Sequence, residues 1–197
     1  MDHVVVDVEI QHTIEETPGG WGATDQLGVA VACLWEYQTQ RMRVYGPDDV
    51  DELQNRLLTA DRISGYNIWN FDFPVIWGIS KQTWLKPEAG GETAVLRARL
   101  LPKTNDILRR IWQAQGFDSD VWQKGMGDSK LDDIADATLG VRKIGNGADA
   151  PKWYQAGLIQ KVVNYCADDV AIERDLADFV DRYGYVIHRG RQLFLKK

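Results

Sequence analysis

The chain has 197 residues, enough for one domain with a substantial core, and its 44% hydrophobic and 26% charged residues are typical of globular proteins. A net charge of −6 argues against a protein that coats nucleic acid, but not against an enzyme whose acidic site is neutralised by divalent metal. No apolar run is long enough for a membrane span, and the first residues lack a signal-peptide pattern. We therefore expect no membrane partner. Cys33 and Cys166 lie in apolar segments, so we expect free thiols and a cytoplasmic protein.

The first third of the chain is predicted to be mainly β-structure. Residues 3–12 are rich in β-branched residues and predict a strand, and residues 27–37 and 41–46 predict two more, so that three antiparallel strands begin the sheet. Residues 47–60 predict a helix because acidic residues crowd its first turn and apolar positions recur at helical spacing. Residues 62–67 predict a short fourth strand.

The rest of the chain is predicted to be mainly helical. Helices are expected over residues 73–80, 104–116, 129–140 and 158 to about 183. Residues 81–103 give no clear pattern beyond a loop at 85–92, residues 142–153 read as a polar loop, and the tail from Gly184 is either a terminal strand or an extension. The pattern predicts one α/β domain over residues 1–197, with a mixed sheet of three antiparallel strands followed by parallel strands, flanked by helices.

Asp7 and Glu9 interrupt the first predicted strand, VVVDVEI. Side chains alternate faces along a strand, so the two carboxylates project together while Val6 and Val8 point the other way. A shared cation would relieve the repulsion between two such carboxylates. The alternative is the polar outer face of an edge strand, and so short a pattern does not decide between them.

Asp72 lies in an apolar segment, GYNIWNFDFPVI, which runs from Gly65 to Ile76. A carboxylate is costly to remove from water unless something positive compensates it. Asp72 either caps the start of a helix or is held there to bind a cation. Capping alone does not explain why Asn67 and Phe71 precede it.

Tyr165 and Asp169 lie four residues apart in NYCADDVAIERDL, on one face of the long C-terminal helix. Asp168 is rotated away from that face and is the weaker candidate. The alternative is that Tyr165 packs in the core and that Asp169 is one of the acidic residues common near helix starts.

Taken in order, these segments resemble the three motifs of the DEDD superfamily of 3′–5′ exonucleases. The motifs are D-x-E at Asp7 and Glu9, N-x-x-x-F-D from Asn67 to Asp72, and Y-x-x-x-D at Tyr165 and Asp169. GYNIWNFD, YCADD, NDILRRI and KLDDIADATLGVRK are most similar to the proofreading exonuclease domain of family B DNA polymerases. The resemblance runs from about residue 4 to residue 180 and implies a ribonuclease H-like fold. Another branch of the superfamily has a histidine where this chain has Asn164, so the resemblance is to the tyrosine branch, DEDDy.

The resemblance implies a two-metal hydrolysis of a phosphodiester at a 3′ end, which releases nucleoside 5′-monophosphates. Hard oxygen ligands suit two Mg²⁺ or Mn²⁺ ions. Asp7 would bridge both ions, Glu9 and Asp169 would complete one site, and Asp72 would support the other. Tyr165 would orient the attacking water, because an unperturbed tyrosine with a pKa of about 10 is a poor base at neutral pH.

A further group of residues is expected to contact substrate: Asn67, Ile10, His12, Trp21, Phe71 and Lys143. Asn67 either positions the terminal nucleotide or braces the site. Trp21 either stacks on a base or folds onto the core, and Lys143 is expected to meet a phosphate. Asp106 either supports the metal site from behind or caps a helix.

The expected substrate is the 3′ end of single-stranded DNA, with RNA as an alternative. The chain ends where a family B polymerase would continue into its palm domain, so we expect a free-standing exonuclease or one subunit of an assembly with a polymerase, helicase or other repair or replication protein. The other alternative is a catalytically silent module that binds nucleic acid or docks to a protein. Retention of all four carboxylates and the tyrosine argues against the silent module.

Overall fold

The computed structural model describes residues 1–143 and 145–195, and its centre is a five-stranded mixed sheet. The strands are β1 (His3–Ile10), β2 (Val29–Glu36), β3 (Arg41–Tyr45), β4 (Arg62–Gly65) and β5 (Thr104–Asp106), in the order β3-β2-β1-β4-β5. β1, β2 and β3 pair antiparallel, whereas β4 pairs parallel with both β1 and β5. The predicted α/β class and the ribonuclease H-like mixed sheet are confirmed.

Eight α-helices and a terminal hairpin complete the described chain. The helices are α1 (Val50–Thr59), α2 (Phe73–Ile76), α3 (Lys81–Leu85), α4 (Glu92–Leu100), α5 (Ile107–Ala114), α6 (Leu131–Leu139), α7 (Ala150–Gln155) and α8 (Ile159–Tyr183). The tail forms an antiparallel hairpin of β6 (Tyr185–His188) and β7 (Arg191–Phe194), while Lys196 and Lys197 lie outside the described residues.

The two faces of β1 belong to different parts of the core. Val4, Val6 and Val8 pack into one cluster together with residues of α1 and α2. Val5 packs on the opposite face with residues of α8, including Val162 and Cys166. Because side chains alternate along a strand, Asp7 and Glu9 share the face of Val5 and are directed toward α8. β1 is a central strand, so the interpretation of these carboxylates as the outer face of an edge strand is wrong.

Several predicted boundaries are wrong for identifiable reasons. The first strand ends at Ile10 rather than at residue 12, where its pairing with β2 shifts register between Glu9 and Ile10. The helix predicted over 104–116 begins only at Ile107, because residues 104–106 pair with β4 as the fifth strand. The helix predicted over 73–80 ends at Ile76.

Local helices also occur in segments whose sequence has no helical pattern. α3 and α4 occupy much of residues 81–103, for which no clear pattern was found. α7 covers the end of the predicted polar loop 142–153, and Ile144 in that loop lies outside the described residues. The helix predicted over 129–140 is present as α6. Gly140 ends it with a φ of 73°, a conformation that glycine adopts without steric cost.

Candidate active site

A cleft of about 400 Å³ opens at the end of the sheet where β1 and β4 terminate. Its lining includes all five residues that the motifs assign to catalysis, which are Asp7, Glu9, Asp72, Tyr165 and Asp169. They come from β1, from the turn after β4 and from α8, so three segments distant in sequence contribute to one site.

The two carboxylates of β1 are close together and largely out of water. Glu9 is buried and Asp7 is partly buried, and Oδ2 of Asp7 has no hydrogen-bond partner among the described residues. Burial, and then the charge of Asp169, raise the pKa of Asp7 to about 7. Burial, and then the charge of Asp7, raise the pKa of Glu9 well above its usual value. Both shifts indicate a site that attracts positive charge.

Asp72 is positioned by an irregular turn that follows β4. Asn67 has a left-handed backbone with a φ of 69°, and residues 68–72 form one π-helical turn, a feature often found at functional sites. Oδ1 of Asp72 accepts a hydrogen bond from the backbone amide of Val8 at 3.1 Å. The interpretation of Asp72 as an N-cap is wrong, because its backbone is already helical and its side chain makes no capping bond to α2.

Asp106 is fully buried and holds this turn in place. Its carboxylate accepts hydrogen bonds from the backbone amides of Asn67 at 3.0 Å and Trp69 at 2.9 Å. It also accepts one from the amide of Arg109 at 3.1 Å and thereby caps α5. The capping role is therefore confirmed, and the same side chain also braces the segment that carries Asp72.

α8 presents Tyr165 and Asp169 to the cleft, whereas Asp168 is exposed to solvent. The ammonium of Lys143 lies 2.6 Å from Oδ2 of Asp169 and 5.3 Å from the centre of the Tyr165 ring. Burial opposes the charged form of Lys143, but the Asp169 carboxylate overrides it and raises the pKa of the ammonium. Burial raises the pKa of Asp169 although Lys143 opposes this shift.

Tyr165 is held by a glycine-containing loop that passes over its ring. A β-carbon on Gly145 would lie 3.3 Å from the ring, and one on Gly147 would lie 3.5 Å from the hydroxyl oxygen. Gly145 also has a φ of 113°, which side chains rarely tolerate. Burial raises the pKa of Tyr165, so the phenol is neutral at physiological pH and can donate a hydrogen bond into the cleft.

The donor set fits divalent cations. Among the described residues, Oδ2 of Asp7 and Oδ1 of Asp169 are buried carboxylate oxygens without hydrogen-bond partners. Ligand atoms of Asp7, Glu9 and Cys166 lie within 4.8 Å of one another. Burial keeps the Cys166 thiol neutral by raising its pKa, and its Sγ donates to the Asp7 carbonyl at 3.4 Å, so oxygen rather than sulfur faces a cation. Carboxylate oxygen is the ligand type that Mg²⁺ and Mn²⁺ prefer.

The residues expected to contact substrate are mostly, but not all, at the cleft. Ile10, Trp21, Asn67, Phe71 and Lys143 line it. Trp21 is 63% exposed with its ring centre 5.8 Å from that of Phe71, so it is not folded onto the core. His12 is exposed and does not line the cleft, and its contact with substrate stays a prediction.

Glu173 is a buried acid that the sequence motifs did not identify. It lies one helical turn after Asp169 on α8 and is only 1% exposed. Burial, followed by the charges of Asp7, Asp72 and Asp169, raises its pKa well above the usual value. The sequence does contain a signal for Glu173 in the apolar spacing of α8. Val170 and Leu176 predict a further apolar residue at position 173, and an acid is found there instead.

Comparisons with known proteins support the fold. No protein-family profile and no curated protein matches the chain. Solved structures do match, among them a family B DNA polymerase from the hyperthermophilic archaeon Pyrobaculum calidifontis, with a TM-score of 0.60 and 16% identity. The match covers 91% of this chain and 24% of that chain, so this chain corresponds to about a quarter of the polymerase. Across the described residues, no helix is both long and apolar enough to span a bilayer.

Proposed function

We propose that the chain is a metal-dependent 3′–5′ exonuclease of the tyrosine branch of the DEDD superfamily, which removes nucleoside 5′-monophosphates from single-stranded DNA. The supporting observation is the convergence of four motif carboxylates from three segments in one cleft, with oxygens of Asp7 and Asp169 left without partners. Stability of the fold does not explain these four carboxylates, because apolar side chains of similar volume at the same positions would be equally or more stabilising.

Asp7, Glu9, Asp72 and Asp169 would hold two Mg²⁺ or Mn²⁺ ions. Such ions lower the pKa of bound water and stabilise charge on the attacking and leaving oxygens of a phosphodiester. The polypeptide keeps the four carboxylates at fixed positions through β1, through α8 and through the bond from Val8 to Asp72.

Tyr165 and Lys143 act on the reacting groups in different ways. The neutral phenol of Tyr165 orients the attacking water by hydrogen bonding and does not take its proton, because burial raises its pKa. The ammonium of Lys143 lies beside Asp169 in the lining of the cleft and would neutralise a phosphate that enters it. Water adds to phosphorus, the bond from phosphorus to the 3′ oxygen breaks, and that oxygen leaves with a proton.

The aromatic side of the cleft would bind the terminal bases. Trp21 and Phe71 offer adjacent ring faces, and stacking on such faces holds single strands without sequence preference. Asn67 and Ile10 line the same cleft and would contact the terminal nucleotide. DNA is favoured over RNA because the structural neighbour is a DNA polymerase.

The test is to incubate the protein with a 5′-labelled single-stranded DNA oligomer in Mg²⁺, in Mn²⁺ and in EDTA. We expect a ladder that shortens from the 3′ end in either metal, and intact DNA in EDTA. Asp169→Ala should abolish the ladder. The matched control is Asp168→Ala on the same helix, which should leave it unchanged because Asp168 is exposed and does not line the cleft.

An RNA oligomer of the same sequence is included in the experiment. Faster shortening of RNA than of DNA would contradict the DNA preference and keep the chemistry. If neither polymer is shortened by folded protein in any metal, the exonuclease proposal fails and the silent module takes its place.

A further inference from the structure

Glu173 is a buried carboxylate that the proposed reaction, as described above, does not use. Glu173 is 1% exposed, and its Oε2 has no hydrogen-bond partner among the described residues. On α8 Glu173 lies eight residues after Tyr165 and four residues after Asp169. It therefore continues the helix face that supplies the third motif. A buried carboxylate oxygen without a hydrogen-bond partner requires a physical explanation.

The surroundings of Glu173 connect it with the segments that carry the acidic cluster. A β-carbon on Gly65, the last residue of β4, would lie 3.4 Å from Oε2 of Glu173. Oε2 therefore lies under the point where β4 ends and the turn that carries Asp72 begins. Asp7, Asp72 and Asp169 are the charged groups that act on it most strongly.

An acid at this position is unfavourable unless a cation is present. Apart from Asp169 and Tyr165, its neighbours on the buried face of α8 are apolar, including Ile172, Leu176 and Ala177. A leucine or methionine would fit that pattern and would avoid desolvating a carboxylate among three others. Without a cation, burial favours the neutral form of this carboxyl group, whereas a bound cation would favour its ionised form.

We propose that Glu173 is a fifth carboxylate of the metal centre, which acts on the ion held by Asp7 and Asp72. This inference rests on the proposed function, because it requires that the cleft binds divalent cations. Glu173 does not belong to the lining of the cleft, whereas Glu9 and Asp169 do.

The charges of the cluster agree with this assignment. The four motif carboxylates, Glu173 and the ammonium of Lys143 together carry four negative charges when all are ionised. Two divalent cations neutralise that total, whereas without Glu173 the loaded site would carry one excess positive charge. The fifth acid thus balances a site that contains two ions and no substrate.

The experiment compares Mn²⁺ binding by the wild type and by Glu173→Gln, measured by calorimetric titration, together with thermal unfolding in EDTA. Glutamine keeps the shape of the side chain and removes its charge. We expect one of the two Mn²⁺ sites to weaken by about 10–100-fold, the range found when residues that support a metal ligand are replaced. We also expect the metal-free variant to unfold at about the same temperature as the metal-free wild type, because the raised pKa of Glu173 favours its neutral form when no cation is bound.

The matched control is Asp168→Asn, which removes one negative charge from the exposed side of the same helix. It should bind two Mn²⁺ ions with wild-type affinity. If Glu173→Gln does not fold, Glu173→Met provides the second variant, with the same predicted loss at one site.

Three results would overturn the inference, and they identify what failed. Unchanged affinity at both sites in a folded Glu173 variant would show that Glu173 is only structural, while the wild type could still cleave DNA. Equal weakening in Asp168→Asn would show that overall charge, not Glu173, sets the affinity. A wild type that binds no Mn²⁺ and cleaves no nucleic acid would remove the proposed function together with this inference.

Discussion

The carboxylate of Asp72 accepts a hydrogen bond from the backbone amide of Val8 at 3.1 Å, which joins the second acidic motif directly to the strand of the first. β4 pairs with β1 only as far as Val5 and ends at Gly65. The amide of Val8 lies beyond that pairing, and the side chain of Asp72 takes the place of a strand partner. One oxygen of Asp72 is thus committed to the sheet, which leaves the other for the proposed cation.

We expect Asp72→Asn to keep the fold and to lose activity. The amide oxygen of asparagine can still accept from Val8, so the turn stays in place, while the negative charge disappears. Cleavage of single-stranded DNA should fall by about 100-fold or more, the upper end of the range for disturbed metal sites. Circular dichroism should show an unchanged fold, and the metal-free protein should be no less stable than wild type. A drop in activity that accompanies partial unfolding would contradict this explanation.

Gly65 is expected to be essential for stability, since the end of β4 leaves no room for a side chain. A β-carbon there would overlap Cγ2 of Ile68 and lie 2.8 Å from the carbonyl oxygen of Val6. Gly65→Ala should lower the free energy of unfolding by about 3 kcal/mol, as expected for overpacking against backbone. Gly22→Ala is the control, because no atom lies within 4 Å of its added carbon. Urea unfolding measures both, and similar losses in the two variants would contradict the prediction.

The central part of the fold and site was predictable because residues that are close in sequence determine it. Alternation along β1 placed Asp7 and Glu9 on one face, and the four-residue spacing of Tyr165 and Asp169 placed them together on a helix. The ordered motifs then indicated that Asp72 belongs to the same cluster. The structure brings all five side chains to one cleft.

The remaining features depend on tertiary contacts that leave little trace in sequence. β5 consists of Thr104, Asn105 and Asp106, of which asparagine and aspartate disfavour strands, and it exists because β4 offers an open edge. α4 buries only Leu100, so it has no apolar period to detect. Glu173 was hidden among the several acids of α8, since only the packed structure shows which of them lack water.

His3 should make the protein less stable in mild acid. It is buried, with Nε2 2.8 Å from Oγ of Ser64, and burial followed by the charge of Arg62 lowers its pKa to about 4. The unfolded chain, with a histidine pKa near 6.5, binds a proton first as the pH falls. Stability is therefore unaffected above about pH 7 and is lost progressively between about pH 6.5 and pH 4, by on the order of 2 kcal/mol.

His3→Gln removes this titration and isolates its contribution. The difference in unfolding free energy between wild type and variant, measured by urea at several pH values, should shrink as the pH falls from 7 to 4.5. A difference that is constant over this interval would show that His3 titrates normally in the folded protein.

Trp21 is expected to act on substrate affinity and not on the chemical step. Its side chain is 63% exposed beside Phe71 at the aromatic side of the cleft, so its removal should not disturb the core. Stacking contributes about 1–3 kcal/mol per base, which predicts that Trp21→Ala raises KM for single-stranded DNA by about 10-fold with kcat nearly unchanged. Trp122→Ala is the matched control, because Trp122 is 70% exposed and does not line the cleft. Steady-state kinetics on a fluorescent oligomer distinguish the two tryptophans, and equal effects, or a loss in kcat alone, would show that Trp21 does not stack on the substrate.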